Sequence, residues 1–114
     1  MHEFSLAQSL MGLVADSARQ QGIRQVHQVT VVVGEWSAVL PEALTGSFEI
    51  LAQTGDELFR GAELVVVRSA AMGLCGGCGQ RFEAGESGLI CPQCGGSAQL
   101  ASGNELYVDS YEGD

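Results

Sequence analysis

Residues 72–103 read Met-Gly-Leu-Cys-Gly-Gly-Cys-Gly-Gln-Arg-Phe-Glu-Ala-Gly-Glu-Ser-Gly-Leu-Ile-Cys-Pro-Gln-Cys-Gly-Gly-Ser-Ala-Gln-Leu-Ala-Ser-Gly, and this stretch decides the architecture. It holds all four cysteines of the chain, as Cys75-Gly-Gly-Cys78 and Cys91-Pro-Gln-Cys94, each pair followed by a glycine, Gly79 or Gly95. A Cys-x-x-Cys turn lets two sulfurs point at one ion while the intervening amides point at those sulfurs. The glycines permit the positive φ that such a knuckle needs. Two knuckles supply four thiolates, the tetrahedral set that zinc prefers. Phe82, Leu89 and Ile90 are too little apolar mass for a core, so a metal must hold the segment together. Cys75, Cys78, Cys91 and Cys94 are therefore the expected ligands of a structural zinc ion. Four thiolates leave no open position for water, which disfavours catalytic zinc. Iron in a rubredoxin-like electron carrier is the rival reading, since sulfur-rich tetrahedral sites admit either metal. Such carriers pack the site against aromatic rings. Here Phe82 is the only aromatic between Arg60 and Tyr107, which favours zinc.

The flanking sequence has a different grammar. Leu6, Leu10, Leu13 and Val14, with Met11 and Ala18, recur at helical spacing over residues 5–20. Ser5 and Gln8 fit a capping box, and Gly22 a C-terminal stop, so the first four residues are expected to precede the helix and move freely. Val26-His-Gln-Val-Thr-Val-Val-Val33 is β-branched and alternating, which predicts a strand with His27, Val29, Val31 and Val33 on one face. A second helix is expected to start at Pro41, with Leu44, Phe48 and Leu51 as its buried stripe and Gly55 at its end. Gly46 weakens that helix, and close packing against another element would explain it. Residues 63–68 and 105–111 read as two further strands. Strand, helix, strand suggests a βαβ-like unit with a right-handed crossover if the strands are parallel. The expected fold class is α+β. A small three-stranded sheet with two helices is built from residues 1–71 and 104–114. A zinc-ribbon-like module, residues 72–103, is inserted before the final strand.

Composition narrows the function. The chain has 114 residues, a formal net charge of −9, five Arg and no Lys. Nucleic-acid binding rests on cationic side chains displacing counterions, so a zinc-ribbon nucleic-acid-binding protein is disfavoured. Arg81 is the one basic residue of the module, beside Glu83 and Glu86, and a divalent ion on four thiolates adds about two further negative charges. No run approaches the roughly 20 apolar residues of a membrane helix, and no secretory signal is legible. The expected setting is cytoplasmic, where paired thiols hold metal more often than they form disulfides. The acidity favours divalent cations near the surface and can steer a basic partner. Glu42 and Glu49 read as a solvated helix face, and His27 as structural or exposed.

Composition alone leaves Met1-His2-Glu3 as a solvated tail. Its chemistry offers more. Initiator methionine stays in place before a bulky residue. The Met1 amine, the His2 backbone nitrogen and the His2 imidazole can then close two fused chelate rings on one ion. The Glu3 backbone nitrogen or carboxylate can supply a fourth ligand. Nitrogen-rich planar coordination suits Ni(II) or Cu(II) and not zinc.

Met1-His2-Glu3 followed by Ser5-Leu6 resembles the opening of the HypA/HybF nickel metallochaperones of hydrogenase maturation. The resemblance continues through Gly34-Glu35-Trp36-Ser37-Ala38-Val39, Pro41-Glu42-Ala43-Leu44 and Phe48-Glu49. It resumes at Gly61-Ala62-Glu63-Leu64, runs through both cysteine pairs and ends at Gly103-Asn104-Glu105-Leu106-Tyr107-Val108. Trp36 departs from the aliphatic residue usual there, and Thr45-Gly46-Ser47 from a more apolar stretch. The metal motifs are intact. The resemblance implies a carrier without catalytic turnover. It implies delivery of Ni(II) to the precursor of the [NiFe]-hydrogenase large subunit, together with a HypB-type nickel GTPase; some relatives also supply urease. It places nickel at Met1, His2 and Glu3, and structural zinc at the four cysteines. Monomer and homodimer both remain open, as does the fourth nickel ligand.

Overall fold

The computed structural model describes residues 2–85 and 88–114. In chain order it comprises helix α1 (His2–Gln20), strand β1 (Val26–Gly34), helix α2 (Pro41–Thr54) and a single 3-10 turn (Glu57–Phe59). Strands β2 (Glu63–Ser69), β3 (Met72–Cys75), β4 (Arg81–Glu83), β5 (Ala98–Ser102) and β6 (Leu106–Gly113) follow. The chain divides into two compact units. Met1–Val32, Val39–Val67 and Tyr107–Asp114 make one; Val33–Ala38 and Arg68–Leu106 make the other.

Helix α1 starts three residues earlier than its local sequence suggests. His2, Glu3 and Phe4 are helical, so they are not a free tail, and Ser5 lies inside the helix instead of capping it. Met1 falls outside the described residues. Two things favour the early start. Glu3 puts a carboxylate in the first turn, where the helix end is positive. That carboxylate also accepts the Leu40 N–H at 3.4 Å, a distant contact that no local pattern announces. The other end behaves as expected. Gly22 adopts φ +76°, Ile23 N–H bonds to the Ala18 carbonyl and Gly22 N–H to that of Arg19.

The buried face of α1 is Ala7, Met11, Val14, Ala15 and Ala18, while Leu13 is 66% exposed. Small alanines allow close approach to α2, whose Leu44, Ser47, Phe48 and Ala52 are buried. Leu51 is only half-buried. Nothing lies within 4 Å of a Cβ built on Gly46, so packing does not explain that glycine. Gly55 ends α2 by donating its N–H to the Leu51 carbonyl at 2.8 Å. In the 3-10 turn, the Asp56 side chain accepts the Leu58 N–H at 3.0 Å. This sets Phe59 into the core, edge-on to Phe48 with ring centroids 6.2 Å apart.

The first sheet has the order β2-β1-β6. Gln25 and Asp114 exchange main-chain bonds, and Gly34 N–H bonds to the Glu105 carbonyl, so β1 and β6 run antiparallel. Glu35 N–H, just past β1, reaches the carbonyl of Ser69 at the end of β2, which makes β1 and β2 parallel. The sheet is therefore mixed, with α2 as the connection between its parallel pair. Val26, Val29, Val31 and Val33 are buried, and His27 is exposed with its Nε2 3.1 Å from Asp114 Oδ1.

The second sheet is antiparallel, in the order β4-β3-β5. Gly73 of the central strand pairs with Phe82 and with Leu100. A Cβ on Gly73 would lie 2.6 Å from the Phe82 ring, so the absence of a side chain lets that ring lie across the strand. Ile90 is bridged to Ser97 and 55% exposed, in keeping with a segment that has little core of its own.

Candidate metal centres

Each cysteine pair sits in a tight turn closed by a left-handed glycine. Gly79 N–H bonds to the Cys75 carbonyl and Gly95 N–H to the Cys91 carbonyl, both at 2.9 Å, with φ +76° at Gly79 and +73° at Gly95. The two turns are joined to the strands by a matching pair of bonds, Cys75 N–H to the Gln80 carbonyl and Cys91 N–H to that of Gly96. Folding the turns together brings the four sulfurs within 4.8 Å of one another. Cys75 Sγ lies 3.5 Å from Cys94 Sγ, and Cys78 Sγ lies 3.6 Å from Cys91 Sγ. A tetrahedral zinc with Zn–S bonds of about 2.3 Å places its sulfurs about 3.8 Å apart. The sulfurs are thus spaced for one ion and far beyond disulfide length. Cys75 and Cys91 are buried, Cys78 and Cys94 exposed.

The sulfurs differ electrostatically. The amides of Cys78 and Gly77 point at the Cys75 sulfur and, with the Cys94 thiol, lower its pKa to about 6. The Cys91 thiol is lowered chiefly by the Cys94 amide, against the opposing effect of burial. Cys78 goes the other way. The Gln80 amide favours its thiolate, but the Cys91 thiol, burial and the other two thiols together raise it to about 11. Cys94 is also raised, because the Cys75 and Cys91 thiols outweigh the Gly96 amide. The first sulfur of each pair is thus shifted toward the thiolate and the second toward the thiol. A divalent ion held by these four residues would favour the thiolate form at all of them.

The N-terminal residues lie in the other unit. His2 opens α1 with its side chain 66% exposed, and its Nδ1 is 3.7 Å from Glu3 Oε2. The amides of the first helical turn have no carbonyl four residues earlier, so a metal that takes them breaks no intrahelical bond. His27 pairs with Asp114 and is not brought to a cluster of three or more metal-ligating side chains among the described residues. The intervening amides expected at the sulfurs are those of Gly77 and Gln93. Sequence reasoning missed the amides of Cys78 and Cys94, which also point at the sulfurs, and the Leu40 amide beneath Glu3.

Fold and cluster define a small α+β protein in which four thiols converge on a single metal-sized point. Comparison with known proteins makes this specific. The family model described as HypA, hydrogenase/urease nickel incorporation, metallochaperone, matches residues 1–113, and the chain belongs to that family. The hydrogenase maturation factor HypA of Dehalococcoides mccartyi strain CBDB1 is 35% identical over 115 residues, spanning 100% of this chain and 95% of that protein. HypA of Geobacter metallireducens is 39% identical over 113 residues, 98% of each. Two solution structures share the fold. One, of a protein called HypA, has a TM-score of 0.76 at 25% identity, covering 100% of this chain and 97% of that one. The nickel metallochaperone HypA of Helicobacter pylori has a TM-score of 0.70 at 24% identity, covering 97% and 96%. A metallochaperone carries its metal and does not turn over a substrate, so the chain is not an enzyme. No helix among the described residues is long and apolar enough to cross a membrane.

Proposed function

We propose that this chain binds Ni(II) through Met1, His2 and Glu3 and hands it on for assembly of [NiFe]-hydrogenase. The observation that carries the reading is the placement of His2 and Glu3 in the first turn of α1, joined to full-length membership of a nickel-incorporation family. There the backbone nitrogens are without intrahelical partners and the imidazole is exposed. The Met1 amine, the His2 amide and the His2 imidazole form the chelate. Moderate affinity follows from few ligands on an exposed terminus, which suits a carrier that must release its cargo. The transfer partners are a HypB-type nickel GTPase and the hydrogenase large-subunit precursor, in the cytoplasm.

Cys75, Cys78, Cys91 and Cys94 hold zinc when it is bound, and the ion fixes residues 72–103 as a separate structural domain. Support comes from the sulfur spacing, the knuckle amides and the two left-handed glycines described above. Residues 1–71 and 104–114 make the nickel-binding domain. The test is metal analysis and nickel titration of the intact chain beside one with an N-terminal extension. An extension removes the amine from its place before His2, so nickel affinity should drop while one zinc per chain is retained. Equal nickel affinity in the two proteins refutes the N-terminal site.

A further inference from the structure

Gly12 stands in the interior of α1, and no packing contact explains it: nothing lies within 4 Å of a Cβ built there. A glycine inside a helix weakens it relative to alanine, because its unfolded backbone has more freedom to lose. Gly46 of α2 is equally open. The two differ in what lies beside them. Gly12 lines a groove of about 290 Å³ between α1 and the end of α2, and Gly46 does not. Every residue of this groove belongs to the first unit. Gly12, Asp16 and Arg19 fall at helical spacing along its α1 wall. Met11 and Ala15 of α1 and Phe59 of the 3-10 turn, all buried, give it apolar surface. The volume suits one or two aliphatic side chains and lies at the small end for a free ligand.

The rim is acidic. Arg19 pairs with Asp56, so the one cation lining the groove is already engaged. No ion pair among the described residues uses Asp16. The whole chain carries −9, with five Arg and no Lys, so it repels a second copy and attracts a basic partner. Gly12 also lies on the helix that His2 opens, ten residues on and about 15 Å along the axis.

We propose that Gly12 keeps open a docking groove for a basic amphipathic helix of the protein that receives the nickel. An aliphatic side chain of that helix enters over Met11 and Phe59. A Lys or Arg one turn away on it pairs with Asp16, the spacing at which a helix in a groove places its anchors. The partner's role rests on the N-terminal nickel reading; the contact itself does not.

The probe is a synthetic amphipathic helix of leucine and lysine, beside a charge-reversed one of leucine and glutamate. Each is added to the zinc-loaded, nickel-free full chain at about 0.15 M salt. Amide NMR shifts report where the peptide binds, and fluorescence anisotropy of labelled peptide reports how tightly. The lysine peptide should shift the amides of Met11, Gly12, Ala15 and Phe59 most, and the glutamate peptide should shift none. Gly12→Leu fills the groove with a better helix former and should weaken binding about 10-fold, the loss of one anchor. Asp16→Asn should weaken it about 3-fold, the scale of one exposed ion pair. Gly46→Ala removes the other open helical glycine and should bind the peptide like wild type. Wild-type affinity in Gly12→Leu overturns the proposal. So do shifts centred away from the groove, equal binding of the two peptides, and no binding at all. Should Gly12→Leu lose helical circular dichroism, the wild-type shift map and Asp16→Asn decide. The nickel reading fails separately, through a His2→Ala chain that binds nickel like wild type, and that result leaves the peptide contact standing.

Discussion

A Cβ on Gly34 would lie 2.2 Å from the carbonyl oxygen of Gly103. Gly103 itself has φ +113°, and a Cβ there would lie 2.4 Å from the Ala71 Cα. Trp36 N–H bonds to that same Gly103 carbonyl at 2.6 Å. Glu35 accepts the Ala71 N–H, and Glu105 the Gly103 N–H, both at 3.1 Å. Three backbone segments, around residues 34–36, 69–71 and 103–105, thus meet with no room for side chains between them.

Gly34→Ala forces these segments apart. Overpacking of this kind costs about 1–3 kcal/mol. Gly46→Ala is the contrasting case, because its site is open and helical, and it should stabilise by about 1 kcal/mol. Urea denaturation of both variants checks the pair. A Gly34→Ala midpoint at or above wild type contradicts the close crossing.

With the proposed zinc site and so poor a core, the second unit should depend on metal for its order. Cys75→Ala should lose the bound zinc and speed hydrogen exchange across residues 72–103, while the helical circular dichroism of α1 and α2 persists. Chelating zinc from the wild-type chain should do the same. Retention of one tightly held zinc by the variant would show that the cluster is not the ligand set.

The knuckle glycines offer a gentler probe. Gly79 and Gly95 occupy the left-handed region, where a Cβ costs about 1–2 kcal/mol. No atom crowds a Cβ built on Gly79, so the effect of Gly79→Ala is purely conformational. Its zinc affinity should fall about tenfold, and Gly79→Asn should lose less, because asparagine tolerates this region. A competition titration against a chromophoric chelator measures both.

Acid should act through Asp56. Arg19, and after it the Leu58 amide, hold its carboxyl below the ordinary value of 3.8. A depressed folded-state pKa means stabilisation that is present above 3.8 and lost as pH falls through the folded value. The ion pair is well exposed, at 55% and 40%, so its worth at neutral pH is under about 1 kcal/mol. Thermal unfolding of wild type and Asp56→Asn should show a small gap at pH 6 that closes below pH 3.8. A gap that widens on acidification reverses the sign and rejects this account.

The sequence made some of this legible and hid the rest for physical reasons. Cysteine spacing is a local code, since two knuckles need their residues at fixed separations, and Cys75 to Cys94 could be read directly. The β-branched runs at 26–33 and 63–68 were equally plain. The start of α1 was not. Ser5 and Gln8 carry a valid local signal, but Glu3 is held by Leu40, 37 residues away. Hydropathy ranked Leu13 above Ala7 and Ala15, yet close helix packing buries the small residues and leaves Leu13 outside. Phe59 enters the core from a short turn that Asp56 caps, which no helical or alternating pattern announces. The crossing of Gly34 with Gly103 is tertiary throughout. Neither glycine differs, in its local sequence, from others in the chain that face open space.

The claim at the centre of this account is that His2 is a nickel ligand at the start of α1. Its most direct measurement is nickel titration of the zinc-loaded His2→Ala chain beside wild type. Loss of the one-to-one nickel site, with one zinc per chain and the helical circular dichroism retained, is the predicted result. One nickel bound with wild-type affinity contradicts it.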